Sequence, residues 1–141
     1  MPVHYNINPA LNMVIFVCTG LISGPELFEA FERALRDNRF QQDMILIFDL
    51  FAARDNLDLQ DVRELLRQTN VLAERGYQPA QIVVLSISTG IHIMVETLQL
   101  MYEKAPSNIK ICYSLDQAIN SLGFSELREK IVTFWEESHQ A

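Results

Sequence analysis

Apolar and polar positions change period several times along this chain, and each change marks an element. Val3, Tyr5 and Ile7 alternate with polar residues, the period-two signature of a half-buried strand. Asn8-Pro9-Ala10-Leu11-Asn12 then supplies turn chemistry before a second β-rich run, Met13 to Thr19, so the opening predicts a β-hairpin that Gly20 ends. Ser23-Gly24-Pro25-Glu26 combines three helix-start signals: a serine cap, a proline in the first turn and a glutamate three residues after the cap. Ile22 and Leu27 occupy the two positions of a hydrophobic staple. The helix that follows groups Leu27, Phe28, Phe31 and Leu35 on one face, with Glu29, Glu32, Arg33 and Arg36 opposite.

From Met44 to Phe48 every residue is apolar, the pattern of a strand covered on both faces as in parallel sheets. Asp49 closes it, and 50–57 reads as a connecting segment. Asp58 then caps a second helix with Asp61 three residues on, Leu57 and Val62 forming its staple. Val62, Leu65, Leu66, Leu72 and Ala73 make that helix's stripe, and Gly76 fits its C-terminal stop. A third cycle runs from a strand at Gln81 to Ile87, through a cap at Thr89, to a helix from Ile91 to Lys104 with Met94, Leu98, Met101 and Tyr102 inward. Ala105-Pro106-Ser107-Asn108 breaks it. Ile109 to Tyr113 is the last strand, Ser114 and Gln117 form a capping box for a short helix ending at Leu122-Gly123, and a final helix spans about Ser125 to His139. Strands alternating with crossover helices predict an α/β fold: a mostly parallel sheet of about five strands, an N-terminal antiparallel hairpin and an extra C-terminal helix.

Composition narrows the function classes. With 141 residues, 49% of them hydrophobic, one domain over 1–141 can bury a core, its centre at about 3–122 and an amphipathic helix at about 124–139. The net charge of −7 argues against nucleic acid as a partner, because phosphate binding needs a basic patch. No basic stretch leads into an apolar one at the N-terminus, and the apolar runs fall far short of the ~20 residues that span a bilayer. A cytoplasmic location without a transmembrane segment is therefore expected. Cys18 and Cys112 sit inside apolar runs, as inert buried thiols do.

The residues Tyr5-Asn6-Ile7 with the hairpin, Thr19-Gly20-Leu21-Ile22-Ser23, Ile47-Phe48-Asp49-Leu50, Ala80-Gln81-Ile82-Val83-Val84 and Asp116-Gln117-Ala118 before Leu122 follow an order and spacing that resemble the STAS (anti-sigma-factor-antagonist) superfamily. Within it, the small bacterial SpoIIAA-like domains are most similar, over about residues 3–122. The resemblance implies a β/α superhelix used as a regulatory or binding module. In phospho-regulated members a serine at the start of the helix after the Asp-Leu strand accepts phosphate, a position that falls near Asp58-Leu59-Gln60. No Ser or Thr lies between Asp49 and Asp61, so this chain departs from that pattern and lacks the acceptor hydroxyl.

Ligands of open α/β sheets gather at the carboxyl ends of the strands. That edge offers Asp49, Phe51, Arg54, Asp55, Asp58, Ser86, Ser88, Thr89 and His92. Ser88, His92 and Asp49 have the residue types of a hydrolytic triad, but Ser88 lacks the Gly-x-Ser-x-Gly elbow, so no catalytic residue is assigned. His4, His92 and His139 lie on separate elements without metal-ligand spacing, and neither metal nor cofactor is expected. Ser88-Thr89-Gly90 at a helix start could hold an anion, yet one glycine with no lysine is no phosphate loop. Arg54 and Asp55, with Phe51 beside them, read either as a solvated pair in a loop or as a loop that contacts a protein partner.

Met94, Met101 and Tyr102 read mainly as core; the alternative is a deformable pocket for a small apolar, lipid-like ligand. At the C-terminus Phe124, Leu127, Ile131, Phe134 and Trp135 form an apolar stripe that packs either on its own sheet or, in a homodimer, on a second copy. Together these features predict a non-enzymatic STAS-like regulatory or protein-interaction domain, homodimeric, whose contact residues are Asp49, Phe51, Arg54, Asp55, Asp58, Thr89 and His92.

Overall fold

Five strands lie side by side in chain order: β1 (Val3–Asn8), β2 (Met13–Ile22), β3 (Ile45–Asp55), β4 (Ile82–Leu85) and β5 (Ile109–Cys112). β1 pairs antiparallel with β2, and every later pair is parallel. The helices are α1 (Gly24–Arg36), α2 (Leu59–Glu74), α3 (Thr89–Met101), α4 (Leu115–Leu122) and α5 (Arg128–Gln140), the last entered through a 3-10 turn at Ser125–Leu127. This is the α/β architecture that the hydrophobic pattern predicts. The computed structural model describes residues 3–55, 58–74, 76, 81–101 and 109–140, and for 55, 62, 66, 69, 70, 72, 73, 98 and 101 it describes the backbone alone. The expected helix-stripe positions Val62, Leu66, Leu72, Ala73, Leu98, Met101 and Tyr102, the staple residue Leu57 and the break at 105–108 lie outside the described side chains.

Alternation along each strand sorts the core into two layers. Val14, Phe16 and Cys18, Leu46, Phe48 and Leu50, and Ile82 and Val84 face α1 and α3 through Leu27, Ala30, Phe31, Ala34, Ile91 and Val95. The residues between them, Met13, Ile15, Val17, Ile45, Ile47, Val83 and Leu85, face α4 and α5 through Ala118, Ile119, Ile131 and Phe134. Right-handed crossovers between neighbouring parallel strands put α1 and α3 on one face, leaving α4 and α5 to cover the other. At the centre of the first layer the rings of Phe16 and Phe48 stack 4.7 Å apart, with Phe31 5.9 Å from Phe16.

The strong local signals act as read. Asn12 takes a left-handed backbone (φ 56°) at the hairpin turn, and Asn8 Oδ1 accepts the Leu11 amide. Asp58 and Asp61 cap α2 reciprocally, each carboxylate accepting the other's backbone N–H, at 2.9 and 3.0 Å. Ser114 accepts from the Gln117 amide, and Gly123 (φ 74°) closes α4 with a Schellman pair of bonds to Asn120 and Ile119. Two caps differ from expectation. Ser23 donates to Glu26 Oε1 and makes no side-chain bond to the backbone of α1. Ser88, one residue before Thr89, caps α3 by accepting the Ile91 amide.

The largest correction concerns β3. Residues 50–55 are not a loop: the strand continues to Asp55, pairing Ala52, Ala53, Arg54 and Asp55 with Thr19, Gly20, Leu21 and Ile22. The register slips between Val17 and Thr19, so that Leu50 and Phe51 together oppose Cys18, a β-bulge. Asp49 Oδ1 accepts the Phe51 amide at 3.0 Å within that bulge. Because β4 pairs only with Leu46 to Asp49, the ends of β2 and β3 project beyond it as a two-stranded ribbon.

Candidate functional site

Strands β2 to β5 run the same way, so the residues leaving them share one edge of the sheet. Three polar residues singled out from the sequence reach solvent there. Arg54 is exposed opposite Leu21 near the end of the ribbon, Asp58 is exposed as the cap of α2, and Thr89 is exposed as the first residue of α3. Phe51 is half-buried and packs into the layer under α4 and α5. Asp55 ends β3, and its side chain lies outside the described atoms.

Two expected contact residues are interior. Asp49 follows Ile45 and Ile47 in phase, so its side chain points beneath α5 and is 1% exposed. There Trp135 Nε1 donates to Oδ2 at 2.6 Å, and His139 Nε2 lies 2.9 Å from the same oxygen. His92 is also buried: its Nε2 bonds the Ser86 carbonyl at 2.7 Å, and its ring lies flat beneath Tyr113 with centroids 3.8 Å apart. Ser86 Oγ in turn accepts the Ser88 amide at 3.0 Å. The side chains of Ser88, His92 and Asp49 are thus each held by other groups, and no side-chain hydrogen bond joins any two of them.

The C-terminal stripe is spent within the chain. Ile131 and Phe134 are buried in the layer against β2, β3 and β4, with Phe124, Leu127 and Trp135 packed around them. Further bonds seat the last turn of α5: His4 Nε2 bonds the Ser138 carbonyl at 2.8 Å, and Asn6 Nδ2 donates to Ser138 Oγ at 3.1 Å. A second copy is therefore not needed to cover this face.

No family model matches this chain, and no curated protein matches it.

What the sequence reading missed is apolar. Among the described residues six large hydrophobic side chains stand exposed, and five of them, Leu21, Leu59, Ile87, Ile93 and Tyr113, sit at or just past strand ends or in the first two turns of helices on the carboxyl edge. Leu21 and Ile87 are 67% and 71% exposed. Only Leu100 lies at the far end of its helix. Leu21 and Ile87 continue apolar runs whose earlier members are core, so nothing in the composition separates them from buried neighbours.

A cavity of about 40 Å³ lies under α1, α2 and α3, lined by Leu27, Phe48, Leu50, Leu65, Val84, Ile91, Val95 and the Asp61 side chain. Pockets for drug-sized ligands hold roughly 300–1,000 Å³. Asp61 also fills the space beside Gly24, where an added Cβ would collide with its carboxylate.

Both cysteines are buried. Burial, aided by the charge of Asp49, pushes the Cys18 thiol up to about 12, and burial raises Cys112 as well. Thiolate is the reactive form, so a disulfide reagent at about pH 8 should leave both thiols of the folded protein intact and modify both after denaturation. Rapid labelling of the native protein would contradict this packing.

Proposed function

We propose that this chain is a non-enzymatic, STAS-like regulatory domain that binds a protein partner through the carboxyl edge of its sheet. The observation that carries the reading is the exposure of Leu21, Leu59, Ile87, Ile93 and Tyr113 along that edge, together with the exposed polar residues Arg54, Asp58 and Thr89. Exposed apolar side chains gathered in one region, rimmed by polar groups, are the composition of a protein contact surface. The strand order, the antiparallel opening strand and α1 and α3 on one face support the family resemblance. Asp58 at the start of α2, with no hydroxyl nearby, supports binding that is not switched by phosphate on that helix. The cavity under α1, α2 and α3, about 40 Å³ among the described residues, is itself too small for a lipid chain, and with the α5 stripe covered, this reading sets the partner at the edge.

Affinity purification from the native cell, comparing wild type with Leu21→Asp, Ile87→Asp and Leu100→Asp, tests this reading. A protein held by wild type and Leu100→Asp but lost from both edge variants is expected. Undiminished retention by Leu21→Asp and Ile87→Asp would place the contact elsewhere.

A further inference from the structure

Both ring nitrogens of His139 face acceptors. Nδ1 lies 2.7 Å from the Trp135 carbonyl oxygen and Nε2 lies 2.9 Å from Asp49 Oδ2. A neutral imidazole has one N–H and one lone pair, so either tautomer sets a lone pair against an oxygen at one of these contacts. Only the doubly protonated ring donates to both. The carboxylate it meets is 1% exposed, whereas the imidazole is 26% exposed and can exchange its proton with solvent.

The surroundings leave this proton as the adjustable element. From β3 comes Asp49; from β1, His4, whose Nε2 bonds the Ser138 carbonyl next to His139. On α5 itself Glu136 and Glu137 are exposed. Asp49 is the one charged side chain paired with His139 among the described residues. A cationic ring in the final turn also complements the negative end of the helix.

We propose that His139 is a proton-operated latch: protonated, it clamps the last turn of α5 onto the buried carboxylate of β3, and losing its proton lets that turn lift. The docked state holds one proton more than the released state, so raising pH favours release. Release would uncover part of the apolar layer formed by Met13, Ile15 and Val17, which α5 helps to cover.

Trp135 is the sole tryptophan, and its ring centroid lies 4.1 Å from that of His139, which makes it a local reporter. As pH is raised from mildly acidic to mildly basic, wild-type emission should brighten and shift to the red in one sigmoidal step. Hydrogen exchange at 131–140, corrected for the intrinsic pH dependence, should lose protection on the order of tenfold across the same range, the size of one charge-assisted bond. His139→Lys, a fixed cation, should abolish both changes, and His92→Gln should leave them in place. Because a variant could fail to fold, the ring nitrogens of wild-type His139 are also read by 15N NMR: two protonated nitrogens at the acid end support the latch. A neutral ring there with α5 still protected, or the same fluorescence step persisting in folded His139→Lys, overturns it.

Discussion

Phe48→Ala should lower folding stability by about 3–5 kcal/mol, a fall in melting temperature on the order of 10 °C, measurable by denaturant titration and calorimetry. Phe48 is 1% exposed on the central strand, stacked on Phe16 and 6.4 Å from Phe31, so its ring joins β2, β3 and α1. Truncation removes these contacts and also opens the site into the adjoining 40 Å³ cavity, whose wall Phe48 forms. The surrounding sheet, tied on both sides by parallel ladders, has little freedom to collapse into the gap. Phe48→Leu, which keeps most of the volume, should cost only about 1–1.5 kcal/mol. A small aromatic guest should raise the melting temperature of Phe48→Ala and leave wild type unchanged, since an apolar void of adequate size accepts such guests. A loss of less than 1 kcal/mol in Phe48→Ala would mean that the two-layer core is wrongly described.

The same strand shows what was legible in the sequence and what was hidden. Ile45 to Phe48 announced a strand buried on both faces because uninterrupted apolar character admits few other placements, and the Ser114 and Asp58 caps were legible because they act within four residues. The extension of β3 to Asp55 was hidden by its own bulge. Leu50 packs with Phe48 on one face, but Ala53 packs there too, an odd spacing that breaks the period-two signal at Phe51. The roles of Asp49 were closed to inspection for a different reason. Its partners Trp135 and His139 lie 86 and 90 positions away, and only folding decides whether a carboxylate ending a strand points to solvent or under a helix. Likewise, the stripe of α5 stated a need for burial without naming the surface that meets it.

Asp49→Ala should be comparably damaging, about 3–5 kcal/mol, because it strips the acceptor from three donors at once: the Trp135 indole, the His139 ring and the Phe51 amide. Removing the buried acceptor leaves the Trp135 indole and the Phe51 amide without a partner in the interior, and that desolvation penalty exceeds the net worth of the bonds. Asparagine does not repair the site. Its single oxygen can serve either the Phe51 amide or the Trp135 and His139 side, and its NH₂ then confronts donors on the other, so Asp49→Asn should still lose about 2–3 kcal/mol. Trp135→Phe removes only the indole donor and leaves the carboxylate on His139 and Phe51, which predicts about 1–2 kcal/mol. Combining Asp49→Asn with His139→Gln should cost clearly less than the sum of the two, since they remove halves of one interaction. Additive losses, or Trp135 emission unmoved in Asp49→Ala, would rule out the buried pair. The two carboxylate oxygens also divide the consequences. Oδ2 holds α5 and Oδ1 holds the bulge from which the β2–β3 ribbon projects, so Asp49→Ala should loosen the ribbon at Leu21 and Arg54, where partner binding is proposed, as well as α5, whereas Trp135→Phe should spare the ribbon.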